Sequence, residues 1–504
     1  MKLDELLAGV EVDRVEEDPE VEISGLSHDS RKAAPGCLFF ALASDPDRNR
    51  ANINDALNRG ASAVVMKGGG GRRTAHSTAT IVECERPRQM MGVAASRFFS
   101  APSERLDVIG VTGTSGKTTV TYLLASIFEA AKRHAGVIGT IGTFIGTREI
   151  AHGLTTPESL DIESALAQMI REGVSAAAVE VSSEGLDKGR VEELSFRAAV
   201  FTHLGRDHLN YHGTVENYFQ AKLRLFNELL PRSRRRDKIA AVRGDDPYGH
   251  RILETLHAHA EIRALSYGTD RSFDAYPLSF AADLSGIHAT ISVLGKRIEF
   301  KSPLIGEFHL MNLLAASLVS VALGIEGDAV AEGLAKCSGA PGRMEAVKAR
   351  DGVTVLVDYA HKPDALEAVL KTVARLCPGR VICVFGCGGD RDRGKRPIMG
   401  RLAAELSDLP IVTSDNPRSE EPLAIISEIE AGVRPAIGTR AREYKVEPDR
   451  RTAIGLALAT AKPGDAIVIA GKGHEDYQLV GKRVLHFDDR EVVRELAMER
   501  GAQP

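Results

Sequence analysis

The chain contains no tryptophan, and aromatic residues fill only 5% of its 504 positions. A core without large rings has to be packed from aliphatic side chains, and 43% apolar residues supply them. An excess of one charge is also missing. Against 64 Lys and Arg stand 69 Asp and Glu, a formal charge of −5, which speaks against general nucleic-acid binding. The basic cluster Arg232-Ser-Arg-Arg-Arg236 reads as a solvated loop. Cysteines are few and scattered, at 37, 84, 337, 377, 383 and 387, with no C-x-x-C pair. Structural zinc is therefore not expected, and a reduced cytosolic chain is. No apolar run approaches a membrane span, and Met1-Lys-Leu-Asp-Glu5 opens an acidic amphipathic segment without a signal-peptide core. The expectation is a soluble cytoplasmic protein of about three domains.

What is present centres on Val108-Ile-Gly-Val-Thr112 followed by Gly113-Thr-Ser-Gly-Lys-Thr-Thr119. The β-branched run reads as a buried parallel strand. Val120, Leu123, Leu124, Ile127 and Phe128 then recur at helical spacing. A strand, a glycine turn and a helix N-terminus make a phosphate cradle, because backbone N–H groups and the helix dipole converge on an anion. Lys117 would reach the β- and γ-phosphates and Thr118 would ligate Mg²⁺. The strict G-x-x-x-x-G-K-[ST] pattern is not met, since Val111 holds its first glycine position. The reading is ATP or GTP binding.

Residues 1–103 look like a small α/β unit in which Asp29, Ser30 and Arg31 turn the chain or contact a ligand. A surface loop is expected at Gly68–Gly71 and the arginines after it, and a linker at Ala101-Pro-Ser103. From 104 to 338 strands and helices alternate as in a doubly wound parallel sheet, with strands near 107–112, 135–138, 175–181 and 197–202. Ala176-Ala-Ala-Val-Glu-Val-Ser-Ser183 buries Glu180 at a strand end, which favours a metal ligand over a structural ion pair. Arg206, Asp207 and His208 leave the next strand, and Lys222 sits on an amphipathic helix where its spacing alone marks nothing. Residues 286–301 alternate like a hairpin. Residues 339–504 again alternate, and their strands deliver charged loops at the C-terminal edge, where ligands bind in such sheets.

Taken together and in order, these motifs resemble the Mur ligase family, the ATP-dependent amide-forming ligases of peptidoglycan synthesis. Asp29-Ser-Arg31, Thr112-Gly-Thr-Ser-Gly-Lys-Thr-Thr119, Thr155-Thr-Pro157, Glu180-Val-Ser-Ser183, Arg206-Asp-His-Leu209 and Ala340-Pro-Gly-Arg-Met-Glu345 carry the resemblance. So do Asp358-Tyr-Ala-His-Lys-Pro363, Gly388-Gly-Asp-Arg391, Asp415-Asn-Pro-Arg418 and Gly471-Lys-Gly-His-Glu475. Within the family the chain is similar to the members that add the third residue to UDP-N-acetylmuramoyl-L-alanyl-D-glutamate.

The resemblance implies a uridine-nucleotide domain at 1–103, an ATPase domain at 104–338 and a Rossmann-like acceptor domain at 339–504, closing over the site. It places Ser30 on the uridine moiety and Thr155, Thr156, Ser182 and Arg190 on the muramoyl-dipeptide. Gly113, Thr114, Ser115, Gly116, Lys117, Thr118, Thr119, Asn312, Arg343 and Asp358 would contact ATP. Thr118, Glu180, His208 and a CO₂-derived carbamate on Lys222 would hold Mg²⁺, with Lys117, Glu180, His208 and Lys222 as the catalytic set. Arg391, Asp415, Asn416, Pro417, Arg418, Gly471 and Glu475 would bind the incoming amino acid. Arg418 suits the second carboxylate that distinguishes meso-diaminopimelate from lysine, so diaminopimelate is favoured over lysine. A folylpolyglutamate-type ligase and a catalytically idle protein of this fold are the rival readings. Departures from the family pattern fall at Leu154, Glu184, Lys188, His203, Asn210 and His309, while the chain is expected to act as a monomer on small molecules.

Overall fold

Three parallel-rich sheets organise the computed structural model, which describes residues 1–68, 79–349 and 352–501. The fold is mixed α/β. The loop expected after Gly68 lies outside the described residues. The chain forms two compact units, one of residues 1–276, 292–296 and 311–333, the other of 277–291, 297–310 and 334–504.

In the first unit, strands Gly25–Ser27, Cys37–Phe40, Ala63–Met66 and Thr80–Glu83 pair in parallel, with Arg14–Glu16 antiparallel at one edge. Cys37–Phe40 and Ala63–Met66 are buried at every position, as an apolar run covered on both faces requires. Ala101-Pro-Ser103, expected as a linker, is instead part of a buried turn: the Ser103 hydroxyl accepts from the Ser195 amide at 3.0 Å. A serine that satisfies a buried backbone donor is held by that bond rather than by solvent.

The second sheet of this unit places Asp107–Thr112 between Ala176–Glu180 and Phe196–Phe201, all parallel. Ala135–Ile138 lies beyond the first neighbour, and Lys238–Arg243 and Ile262–Tyr267 beyond the second. The chain thus crosses from one side of Asp107–Thr112 to the other, and such a switch point opens a crevice at the strands' C-terminal ends. Gly110 makes this packing possible, since a Cβ there would stand 2.8 Å from the Phe196 ring. The arginine cluster is solvated as expected, with Arg232, Arg234 and Arg236 exposed, and it pairs with neighbouring acids: Arg232 with Glu192, Arg234 with Glu104 and Arg235 with Asp107.

In the second unit, Thr354–Asp358, Ala466–Ala470, Val381–Phe385, Leu409–Val412 and Lys445–Val446 run parallel in that order, with Glu345–Val347 antiparallel at the edge. At the edge of the sheet that contains Asp107–Thr112, strands Gly286–Val293 and Lys296–Ser302 flank a turn whose two residues, Leu294 and Gly295, both have positive φ, as suits a two-residue hairpin. The six cysteines are free, and among the described residues no helix is long and apolar enough to cross a membrane.

Glu163, on helix Ser159–Arg171, is 1% exposed, and its carboxyl oxygens have no hydrogen-bond partner among the described residues. Burial, and then the charges of Glu193 and Glu104, push it up to about 8. Between the ordinary carboxylate range and about pH 8 the unfolded chain loses this proton while the folded one keeps it. Its contribution is therefore whole at low pH and lost as pH rises, by about 1.4 kcal/mol per pH unit. Glu163→Gln is expected to melt at the wild-type temperature near pH 4 and above it at pH 8; calorimetry at the two pH values checks this.

Candidate active site

The strand Asp107–Thr112 ends in a turn whose glycines cannot be replaced. Gly113 has φ 144°, and a Cβ there would lie 1.9 Å from the Thr202 hydroxyl. Gly116 has φ 87°, and its Cβ would meet the Asn312 side chain at 2.5 Å. Helix Lys117–Ala130 starts at once, so its free N–H groups face the turn. Lys117 Nζ folds back on the carbonyls of Gly113 and Thr114 at 2.8 and 3.1 Å. The expected nucleotide residues at 113–119 are thereby gathered with Asn312. Arg343 and Asp358 belong to the other unit, where Asp358 accepts the amides of Met344 and Ala360 and the Arg343 guanidinium lies over the Tyr359 ring.

Lys222 is 1% exposed and donates to the Gly113 carbonyl at 3.0 Å. Burial, and then the nearby Lys117 charge, hold its amine far below the usual lysine range, against a smaller opposing pull from Asp207. Its Nζ stands 4.6 Å over the Tyr218 ring, whose hydroxyl bonds Thr114 at 3.1 Å. His208 is exposed and approaches the same ring, at 5.8 Å between centroids. Tyr218 thus joins three expected site residues, and the sequence carried no signal for it beyond its place one turn before Lys222.

Glu180, 1% exposed, is held by an amide and a hydroxyl. It accepts the Thr140 amide at 2.9 Å and the Thr140 hydroxyl at 3.1 Å. Thr140 also bonds Thr155 at 3.0 Å. Thr156 donates to the Glu180 carbonyl and to the Ser182 hydroxyl, while Arg190 reaches the Thr156 carbonyl and pairs with Glu158 at 3.1 Å. Thr155, Thr156, Ser182 and Arg190 are therefore one network, with Thr140 and Glu158 as members that sequence reasoning missed. The signal was position: Thr140 stands just past strand Ala135–Ile138, on the ligand edge. Among the described residues no three His, Cys, Asp or Glu side chains converge as a metal cage. Gly139 lets the Glu180 carboxylate lie against the backbone, since a Cβ there would stand 2.3 Å from its oxygen.

Ser30 is buried in a short turn capped by Asp29, which also pairs with Arg31 at 2.8 Å, so the turn role of this motif is what its side chains perform. In the same unit a cavity of about 650 Å³ is lined by Lys67, Arg86, Arg88, Lys188, Arg224 and Arg232 together with Glu85, Asp187 and Glu192, with Lys67 paired to Glu85 and both Arg224 and Arg232 to Glu192, a size that suits a small-molecule ligand. Two departures meet at its edge: Glu184 and Lys188 form an i,i+4 ion pair.

In the second unit the loops after Val381–Phe385, Leu409–Val412 and Ala466–Ala470 converge. Asn416 donates to Glu475 at 2.8 Å, Asp415 is 6% exposed, and a Cβ on Gly471 would press on the Asp415 carboxylate at 2.9 Å. Burial raises the Glu475 carboxyl above its usual range, against the Lys472 charge. Arg418, after Pro417, is held at φ 53°, and its guanidinium donates to the Gly389 carbonyl at 2.9 Å. Arg391 leaves the same loop cluster into solvent.

Comparison with known proteins matches residues 111–320 to the Mur ligase middle domain and 342–473 to the Mur ligase, glutamate ligase domain. A UDP-N-acetylmuramoyl-L-alanyl-D-glutamate–2,6-diaminopimelate ligase of Geobacter metallireducens is 42% identical, over 98% of each chain. One of the same name from Gloeobacter violaceus is 43% identical, over 99% of each. A solved structure under that name superposes with a TM-score of 0.73 at 35% identity, covering all of both chains. The chain belongs to the Mur ligase family, the ATP-dependent ligases of peptidoglycan synthesis.

Proposed function

We propose that the chain joins meso-diaminopimelate to UDP-N-acetylmuramoyl-L-alanyl-D-glutamate at the expense of ATP. It works in the cytoplasm as a single chain, without nucleic acid or membrane. The observation that carries the reading is the acceptor cluster, in which one loop system holds a guanidinium fork at Arg418 and a half-buried carboxylate at Glu475. Diaminopimelate has a distal carboxylate for the fork and a distal ammonium for Glu475, whereas lysine lacks the carboxylate. Residues 1–103, 104–338 and 339–504 serve the uridine nucleotide, ATP and the acceptor respectively.

A carboxylate is a poor acyl donor, so the D-glutamate γ-carboxylate is first converted to an acyl phosphate. Lys117 and the amides at the start of Lys117–Ala130 offset the charge that gathers as carboxylate and triphosphate oxygens meet. Thr118, Glu180, His208 and Lys222 as its carbamate would hold Mg²⁺; the oxygens of Thr118, Glu180 and the carbamate suit a hard cation, and the His208 imidazole adds a nitrogen donor. Magnesium supplies further charge neutralisation on the phosphates. Lys222 would carry the carbamate, since burial disfavours its charged form and the uncharged amine is the one that adds CO₂. The neutral amine of the acceptor then attacks the acyl carbon and phosphate leaves.

Phosphate release with the UDP-dipeptide is expected to rise on adding meso-diaminopimelate and not L-lysine. A response to lysine alone would overturn the Arg418 assignment, and none to either would favour an idle protein. Arg418→Lys is expected to raise the diaminopimelate KM roughly 10- to 100-fold with the ATP KM unmoved, since lysine cannot reproduce a bidentate contact. Lys222→Ala is expected to abolish turnover, and short carboxylates added to the assay should restore part of it; rescue by neutral amides instead would rule out the carbamate.

A further inference from the structure

We infer that the buried pair Arg450–Asp489 is a positioning device for the acceptor amino acid, an inference that rests on the acceptor reading above. Arg450 is the first residue of helix Arg450–Thr460, and Asp489 the first of helix Asp489–Gly501. Both side chains are 0% exposed, and the guanidinium grips the carboxylate with two bonds, at 2.8 and 2.7 Å. Stability alone does not require it. Asp489 suits the N-terminus of its own helix while the Arg450 cation opposes the dipole of its helix, and apolar residues in place of a buried ion pair are often as stable.

The remaining donors show what the pair does. Arg450 reaches the Ser414 carbonyl at 3.3 Å and the Ala470 carbonyl at 3.1 Å. Ser414 immediately precedes Asp415, and Ala470 immediately precedes Gly471, so one planar group fastens the origins of both acceptor loops. The strands behind them are not neighbours; Val381–Phe385 lies between. Its own exit, Gly386, fits only because it has no Cβ, which would stand 2.4 Å from the Thr413 carbonyl and 3.0 Å from the Asp415 amide. A rigid fork of donors holds such a spacing, where a flexible ammonium does not. Lys472, fully buried, completes the floor from the other side, 3.4 Å from the Asn416 amide oxygen and 3.6 Å from Glu475.

The test replaces the pair together, Arg450→Met with Asp489→Leu, which removes both charges without stranding either. Arg450→Lys is the second variant: it keeps the charge opposite Asp489 and loses the fork. In the folded variants the diaminopimelate KM is expected to rise about tenfold, with the KM values for ATP and UDP-dipeptide unchanged. An unchanged acceptor KM would overturn the inference, and so would a parallel rise in all three, which marks general loosening. Amide hydrogen exchange gives a reading that needs no turnover. Protection is expected to fall at 414–418 and 471–475 and to stay as in wild type at 107–119; unchanged protection in the two loops would overturn the inference even if the chain were no ligase. Absence of diaminopimelate-dependent phosphate release from the wild type would instead sink the acceptor reading itself.

Discussion

Close approach of strand exits, possible only where Cβ is missing, is the constraint on which both units depend. In the first, Gly113 and Gly116 bring the backbone after Asp107–Thr112 against Thr202 and Asn312. In the second, Gly386 and Gly471 bring three loops together around Asp415. Parallel sheets collect their ligand-facing loops at one edge, but a gathered edge becomes a site only if the loops can touch. A methyl group at any of these glycines would separate backbone from backbone, or backbone from a functional side chain. The separation would exceed the few tenths of an ångström over which hydrogen bonds hold.

Around those contacts the buried charges fall into two kinds. Arg190–Glu158 and Arg450–Asp489 are paired and hydrogen-bonded, as burial of full charges requires. Glu180 and Lys222 have no opposite side chain paired with them among the described residues: the carboxylate rests on Thr140 and the amine on a backbone carbonyl. Groups of the first kind hold backbone in place. Groups of the second kind keep unspent charge or basicity, which chemistry on a triphosphate needs.

Among the departures from the family pattern, the structure explains one pair. Glu184 and Lys188 stand one helical turn apart and satisfy each other, so a change at one is answered by the change at the other. His309, which replaces a common asparagine, is fully buried, and burial drives its imidazole down to about 4, so it packs as a neutral ring.

The strands at 107–112, 135–138 and 381–385 were legible in the sequence because a fully buried parallel strand leaves a run of apolar, β-branched residues. The phosphate turn was legible because glycines and a lysine must follow such a strand in order. Those are local requirements, met within a few residues of one another. Thr140, Glu158, Tyr218, Arg450 and Asp489 were not legible. Each acts on a partner across the sheet or from another helix, and nothing in its own neighbourhood distinguishes it from an ordinary cap or surface residue. Ala101-Pro-Ser103 misled for the same reason, since its composition suits a linker and only the distant Ser195 amide makes it a buried turn. The sequence by itself determined the α/β alternation, the cradle and the residue types at the strand ends, because backbone geometry and burial act locally. Which of those residues meet was decided by the tertiary structure, because crossover connections bring side chains far apart in the chain into hydrogen-bonding distance.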